Sequence, residues 1–210
     1  QIQNLPCYHY TIRQCIEWLQ DDERLPDARS YGEVAFGGLE PKSDADSPWD
    51  SNIPVEIPDA DFRINGYIDR LDLSGDGKRA LVRDYKTGRP PREDISVDGG
   101  RELQRCLYAF AVKALLGSEI SISASLLFPR EQVDLQLSDP EATLVEITGY
   151  LQAARANLTA GHALIGPDTG GTYDHLAFAL PANAGATYCK RKLPAATDMF
   201  GDAAQVWEAQ

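Results

Sequence analysis

The sequence predicts an α/β fold, and three observations carry that prediction. Two extended runs at 62–73 and 79–87 flank a turn, a strongly amphipathic helix follows at 101–116, and a strand-then-helix pair closes the pattern at 120–160. The 210 residues are enough for one sizeable core, and 43% hydrophobic with 25% charged residues is an ordinary globular composition. One domain over 1–210 is the expectation. No stretch has the roughly 18 apolar residues of a membrane span, so a membrane role is not expected. The chain starts at Gln1 without signal-peptide character, which reads as a piece of a larger protein, and four scattered cysteines without a secreted disulfide pattern read as cytoplasmic.

Each element has its own signal. Ile12, Cys15, Ile16 and Leu19 fall at helical spacing in 8–20, with Pro26 beyond. Residues 33–36 read as a short strand before Gly37-Gly38. Four prolines and seven acids between 40 and 61 predict a long acidic loop, partly mobile. In the run 62–73 polar and apolar residues alternate imperfectly, and Leu81, Val82 and Tyr85 mark the next strand. Asp76-Gly77 between them suits a two-residue type I′ turn, because both central residues of that turn need positive φ. Leu103, Leu107, Phe110, Ala111 and Ala114 share one helix face, and Gly117 stops the helix. Pro129 follows the strand 120–128, and Ser138 with Glu141 forms a capping box for a helix to about residue 160. Beyond Gly161 only scattered Gly and Pro and a short helix at 203–208 are legible.

Chemistry concentrates on the predicted hairpin. Side chains alternate along a strand, so Asp84 and Lys86 share a face and Tyr85 takes the other. A two-residue turn at Asp76-Gly77 sets Asp69 opposite Asp84 and sends Asp72 to the far face. A three-residue turn would bring Asp72 forward instead, so the choice rests on the turn. Facing carboxylates cost up to about 1 kcal/mol unless a cation lies between them. Asp69, Asp84 and the Tyr85 carbonyl are oxygen donors suited to Mg²⁺ or Mn²⁺ rather than zinc. The Lys86 ammonium could orient or deprotonate a water and stabilise charge on a phosphate oxygen.

Taken together, Gly66-Tyr67-Ile68-Asp69-Arg70-Leu71-Asp72, the hairpin, Asp84-Tyr85-Lys86-Thr87-Gly88 and then Gln104 and Tyr108 resemble the PD-(D/E)XK nuclease superfamily, specifically its RecB/AddB-like exonuclease branch. The motif core spans 33–128, and 129–210 forms a helical or irregular C-terminal part. The resemblance implies a restriction-endonuclease-like core, a central mixed sheet flanked by helices. It implies Asp69 and Asp84 as metal ligands, Lys86 as the catalytic lysine, and Gln104 and Tyr108 beside the site. By the same resemblance the protein is a Mg²⁺- or Mn²⁺-dependent deoxyribonuclease acting on DNA in double-strand-break repair or recombination, beside a helicase. A DNA-binding or scaffolding module of weak activity is the alternative, and a hydrolase of small phosphate esters a third. Relatives take a further His or Glu ligand from an upstream helix, for which His9 and Glu17 are the candidates here. Many AddB-like relatives also carry a four-cysteine cluster with three closely spaced ligands near the C-terminus. Cys7, Cys15, Cys106 and Cys189 lack that spacing, so no iron–sulfur cluster is expected, and the cysteines read as core residues.

The net charge of −12 is unusual for a protein that holds a phosphate backbone. Arg83, Arg89, Arg92, Arg101 and Arg105 offer a basic rim, or a merely solvated surface. His162 and His175 read as surface or structural residues, and Trp18, Trp49 and Trp207 as packing residues.

Overall fold

The computed structural model describes residues 5–20, 25, 27–42, 46–91, 97, 102–162 and 185–200. Its centre is a five-stranded mixed sheet in the order β1-β4-β5-β6-β7. The strands are β1 (Arg29–Phe36), β4 (Gly66–Leu73), β5 (Arg79–Tyr85), β6 (Ser121–Phe128) and β7 (Val133–Gln136), and a separate hairpin pairs β2 (Val55–Ile57) with β3 (Phe62–Ile64). Among the described residues only β5 and β6 pair in parallel. Helix α2 (Gln104–Leu116) makes the crossover between them, because parallel neighbours cannot be joined by a tight turn. Helices α1 (Leu5–Gln20), α3 (Pro140–Thr159) and α4 (Gly185–Phe200) complete the described elements.

The core lies between one sheet face and α2 and α3. Val34, Phe36, Ile68, Leu71, Ala80, Val82 and Ala124 meet Cys106, Ala109, Ala111, Val112 and Ile147 there. Burial of this kind stabilises by roughly 1.5–3 kcal/mol for each large side chain. It also raises the Cys106 thiol to about 12, which leaves a small inert core residue. His162 closes α3, its N–H donating to the Asn157 carbonyl at 2.9 Å.

Several expectations need correction. The acidic stretch 40–61 is not a plain surface loop. Trp49 is buried with its indole N–H donating to the Ala35 carbonyl at 2.8 Å, and Val55 and Ile57 are both 2% exposed. Pro54 and Pro58 bracket a three-residue strand rather than exclude one. The run 62–73 is two strands divided at Asn65. Helix α3 is capped by Asp139, whose carboxylate accepts from the Ala142 N–H at 2.9 Å; Pro140 takes the first helical position, so Ser138 is not the cap. Strand β7 and helix α4 were not anticipated. The expected helix at 203–208, with Trp207, lies outside the described residues.

The far face of the sheet carries charge in its interior. Asp72 receives Arg83 at 3.2 Å and Arg70 at 2.9 Å, and the Ser30 hydroxyl donates to it as well. Asp72 and Arg83 side chains are 2% and 4% exposed. A single truncation strands the partner charge away from water, at a cost of about 3–5 kcal/mol, whereas apolar replacement of both removes that penalty. Urea unfolding of Asp72→Ala is therefore expected to show a loss of about 3 kcal/mol or more, and Asp72→Leu combined with Arg83→Leu to recover most of it.

Candidate active site

The site begins with strand register. Strands β4 and β5 pair Arg70 with Arg83, Leu71 with Val82, Asp72 with Leu81 and Leu73 with Ala80. One more step of the same register sets Asp69 across from Asp84. The connection is not the predicted two-residue turn. The Ser74 N–H donates to the Arg79 carbonyl at 3.0 Å, and the Gly77 N–H, at φ 69°, to the Ser74 carbonyl at 2.9 Å, so residues 75–78 form a four-residue loop. The Asp76 carboxylate braces it by accepting from the Ser74 hydroxyl and the Lys78 N–H. Two and four are both even, so the register survives the change of turn and Asp72 stays on the far face.

Backbone pairing of β4 with β5 stops at Arg70 and Arg83, and a side chain takes over. The Asp69 carboxylate accepts the Tyr85 N–H at 2.9 Å, which ties it to the strand that carries Asp84 and Lys86. Asp84 is 4% exposed. Burial pushes its carboxyl above the usual carboxylate range; the Lys86 ammonium, 2.5 Å away, opposes that shift, while the negative charges of Asp69 and Glu102 add to it. The Lys86 N–H donates to the Leu127 carbonyl at 2.8 Å and fixes the strand end against β6.

From Lys86 a polar chain runs into α2. Its ammonium donates to the Gln104 amide oxygen, and the Gln104 amide nitrogen lies 3.4 Å from the Tyr108 hydroxyl. Residues four apart share a helix face, so both reach the strand ends together. The Tyr108 ring meets Phe36 edge-on at 5.9 Å. A Cβ on Gly66 would sit 3.1 Å from the Phe36 ring and 3.4 Å from the Tyr108 ring, which explains a glycine at the head of β4. Asp69, Asp84, Tyr85, Lys86, Gln104 and Tyr108 thus form one connected group.

Other candidates fall elsewhere. Glu17 is exposed on α1 and pairs with Arg13 at 3.5 Å. The side chain of His9 and all of His175 lie outside the described residues. Of the supposed basic rim, Arg83 is held by Asp72, and Arg105 is ion-paired with Glu102 at 2.8 Å with its side chain 1% exposed, so neither reaches solvent. Arg89 is exposed, and Arg92 and Arg101 lie outside the described residues. Sequence reasoning passed over Glu102 and Glu33. Glu33 occupies the β1 position facing Asp69, between the pairs Gly32–Arg70 and Val34–Ile68, yet does not pair. Its φ of 51° is a left-handed conformation that costs a residue with a side chain about 1–3 kcal/mol. The broken alternation of β4, with Ile68 and Leu71 both in the core, was the readable sign of this irregularity.

The donor set suits a hard divalent cation. A buried carboxylate beside a second carboxylate is electrostatically unfavourable without positive charge, and oxygen donors match that class of ion. Among the described residues no three His, Cys, Asp or Glu side chains converge, so water and main-chain oxygen would complete the shell.

Paired carboxylates and a lysine stand together at the end of β5 in a mixed sheet, with helix α2 across them. The sequence pattern of the PD-(D/E)XK nuclease superfamily matches residues 9–190, and the chain belongs to that superfamily. The fold agrees with the restriction-endonuclease-like core of these enzymes, and membership implies a metal-dependent nuclease with DNA as substrate. No curated protein matches the chain. Among the described residues no helix is long and apolar enough to cross a membrane.

The raised Asp84 pKa has a sign that can be measured. Between the ordinary carboxylate value and the raised one the native state binds more protons than the unfolded state, so stability falls as pH increases. Asp84→Asn removes that decline. Urea titrations of the metal-free protein from about pH 4 to 7 are expected to show the variant gaining on the wild type as pH rises; a pH-independent difference would contradict the burial account.

Proposed function

We propose that this chain is a DNA exonuclease domain of the RecB/AddB-like branch, hydrolysing phosphodiester bonds with Mg²⁺ or Mn²⁺. The observation that carries the reading is the continuous contact from Asp84 through Lys86 and Gln104 to Tyr108, with Asp69 anchored on the Tyr85 N–H. Asp69, Asp84 and the Tyr85 carbonyl are the atoms that would hold the cation. When bound, the ion supplies Lewis-acid charge to the scissile phosphodiester.

The remaining work falls to this chain's own groups. The Lys86 ammonium orients the attacking water and stabilises negative charge gathering on a phosphate oxygen. Gln104 accepts from Lys86 and keeps that ammonium aimed, and Tyr108, wedged against Phe36, restrains Gln104. Asp84 holds Lys86 from the other side. Lys86 is in this reading a catalytic residue, and Gln104 and Tyr108 are positioning residues. The motif string 66–72 and 84–88 with Gln104 and Tyr108 supports an exonuclease working beside a helicase in double-strand-break repair in the cytoplasm, as one domain spanning 1–210.

A second reading, a DNA-binding or scaffolding module with little turnover, draws on the net charge of −12 and on the two-carboxylate donor set. Degradation of linear DNA separates them. The wild type is expected to digest it only with Mn²⁺ or Mg²⁺; Lys86→Ala should lose about 100-fold or more, and Gln104→Ala about 10-fold in kcat with little change in KM. Metal-independent binding without digestion would establish the module and overturn the nuclease.

A further inference from the structure

Resting on the nuclease reading, we propose that Lys42 is a substrate-binding residue that takes a backbone phosphate of the DNA strand on the β1 side of the site. The loss of Arg83 and Arg105 to the interior leaves a strongly acidic chain in need of another cation beside the carboxylates. Lys42 stands in that place, and the segment that carries it is built to hold it there.

After β1, the chain turns at Gly37 and Gly38, at φ 72° and 94°. A Cβ on Gly37 would lie 2.2 Å from the Ile64 carbonyl oxygen, so only glycine lets the turn press this closely onto the entrance to β4. The Gly38 N–H donates to the Ser51 carbonyl at 2.7 Å, and the Tyr67 hydroxyl donates to the Glu40 carbonyl at 2.8 Å. These contacts fix the returning strand of chain over Tyr67, two residues before Asp69. The Lys42 ammonium then lies 4.3 Å from the centre of the Tyr67 ring and pairs with Glu33, the unpaired β1 residue opposite Asp69. Asp69 itself lies within electrostatic reach and favours the charged ammonium.

The Glu33 pair is half exposed, at 52% and 51% for the two side chains, and water screens such a pair heavily. A phosphate oxygen can therefore displace the Glu33 carboxylate, while the Tyr67 ring keeps the ammonium in position. Lys42 on one flank and Lys86 on the other would then bracket a strand whose scissile phosphate meets Asp69 and Asp84. Glu33 serves as the resting counterion of Lys42, which DNA must displace.

The experiment compares wild type, Lys42→Ala, Lys42→Arg and Glu33→Gln. It measures Mn²⁺-dependent kcat and KM on a linear DNA fragment, and anisotropy of a fluorescein-labelled oligonucleotide in EDTA, from about 50 to 200 mM salt. Lys42→Ala is expected to raise KM and Kd about fivefold with kcat nearly unchanged, and to flatten the slope of log Kd against log salt by about 0.7–0.9, one phosphate contact. Lys42→Arg restores both, and Glu33→Gln tightens binding. An active wild type whose KM and salt slope are untouched by Lys42→Ala overturns this role alone. A wild type that digests no DNA with metal overturns the nuclease reading and this role with it.

Discussion

The antiparallel register of β4 and β5 is the constraint on which the rest of the site depends. It decides which aspartate faces Asp84, because a shift of one residue exchanges the two faces of a strand completely. With Arg70 opposite Arg83, the near face receives Asp84 and Lys86 and the far face receives Arg70, Asp72 and Arg83. The two arginines that would otherwise repel across the ladder share Asp72 between them. Their ion pairs hold the strands together one step from the place where the backbone ladder ends and the Asp69 carboxylate takes the Tyr85 N–H.

From that register the chemistry follows by proximity. Strand β5 ends with Asp84 buried and Lys86 half-buried, so an acid whose ionisation is disfavoured by burial lies against a base that favours it. Helix α2 enters at this point because β6 must run parallel to β5, which forces a crossover above the sheet. Its first residue, Gln104, meets Lys86, and one turn later Tyr108 packs on Phe36 of β1. Folding constraints and site geometry therefore share the same residues. The parallel pairing that positions α2 also places a polar helix terminus over the end of β5 that carries Asp84 and Lys86.

Much of this was legible in the sequence, for identifiable reasons. The parity of the loop between β4 and β5 is even whether two or four residues form it, so the facing of Asp69 and Asp84 was readable even with the turn misassigned. Gln104 and Tyr108 announced a shared helix face by their spacing. The interior charges did not announce themselves. Arg83 and Arg105 look solvent-facing in a linear reading, since nothing local shows that Asp72 waits across the ladder or that Glu102, three residues before Arg105, is folded against it. Strand β7 was missed because four residues, three half-buried and one exposed, carry a weak alternation signal. Glu33 was passed over because the sign of its irregularity lies in the broken alternation of β4 and not in β1 itself.

Thermal unfolding with and without Mn²⁺ of Asp69→Asn and Asp72→Asn tests the register account most directly. If Asp69 and Asp84 face each other across the hairpin and hold the cation, Mn²⁺ raises the Tm of the wild type and of Asp72→Asn, although the latter starts from a lower value, and leaves Asp69→Asn unmoved. A metal response that survives in Asp69→Asn and disappears in Asp72→Asn would contradict it.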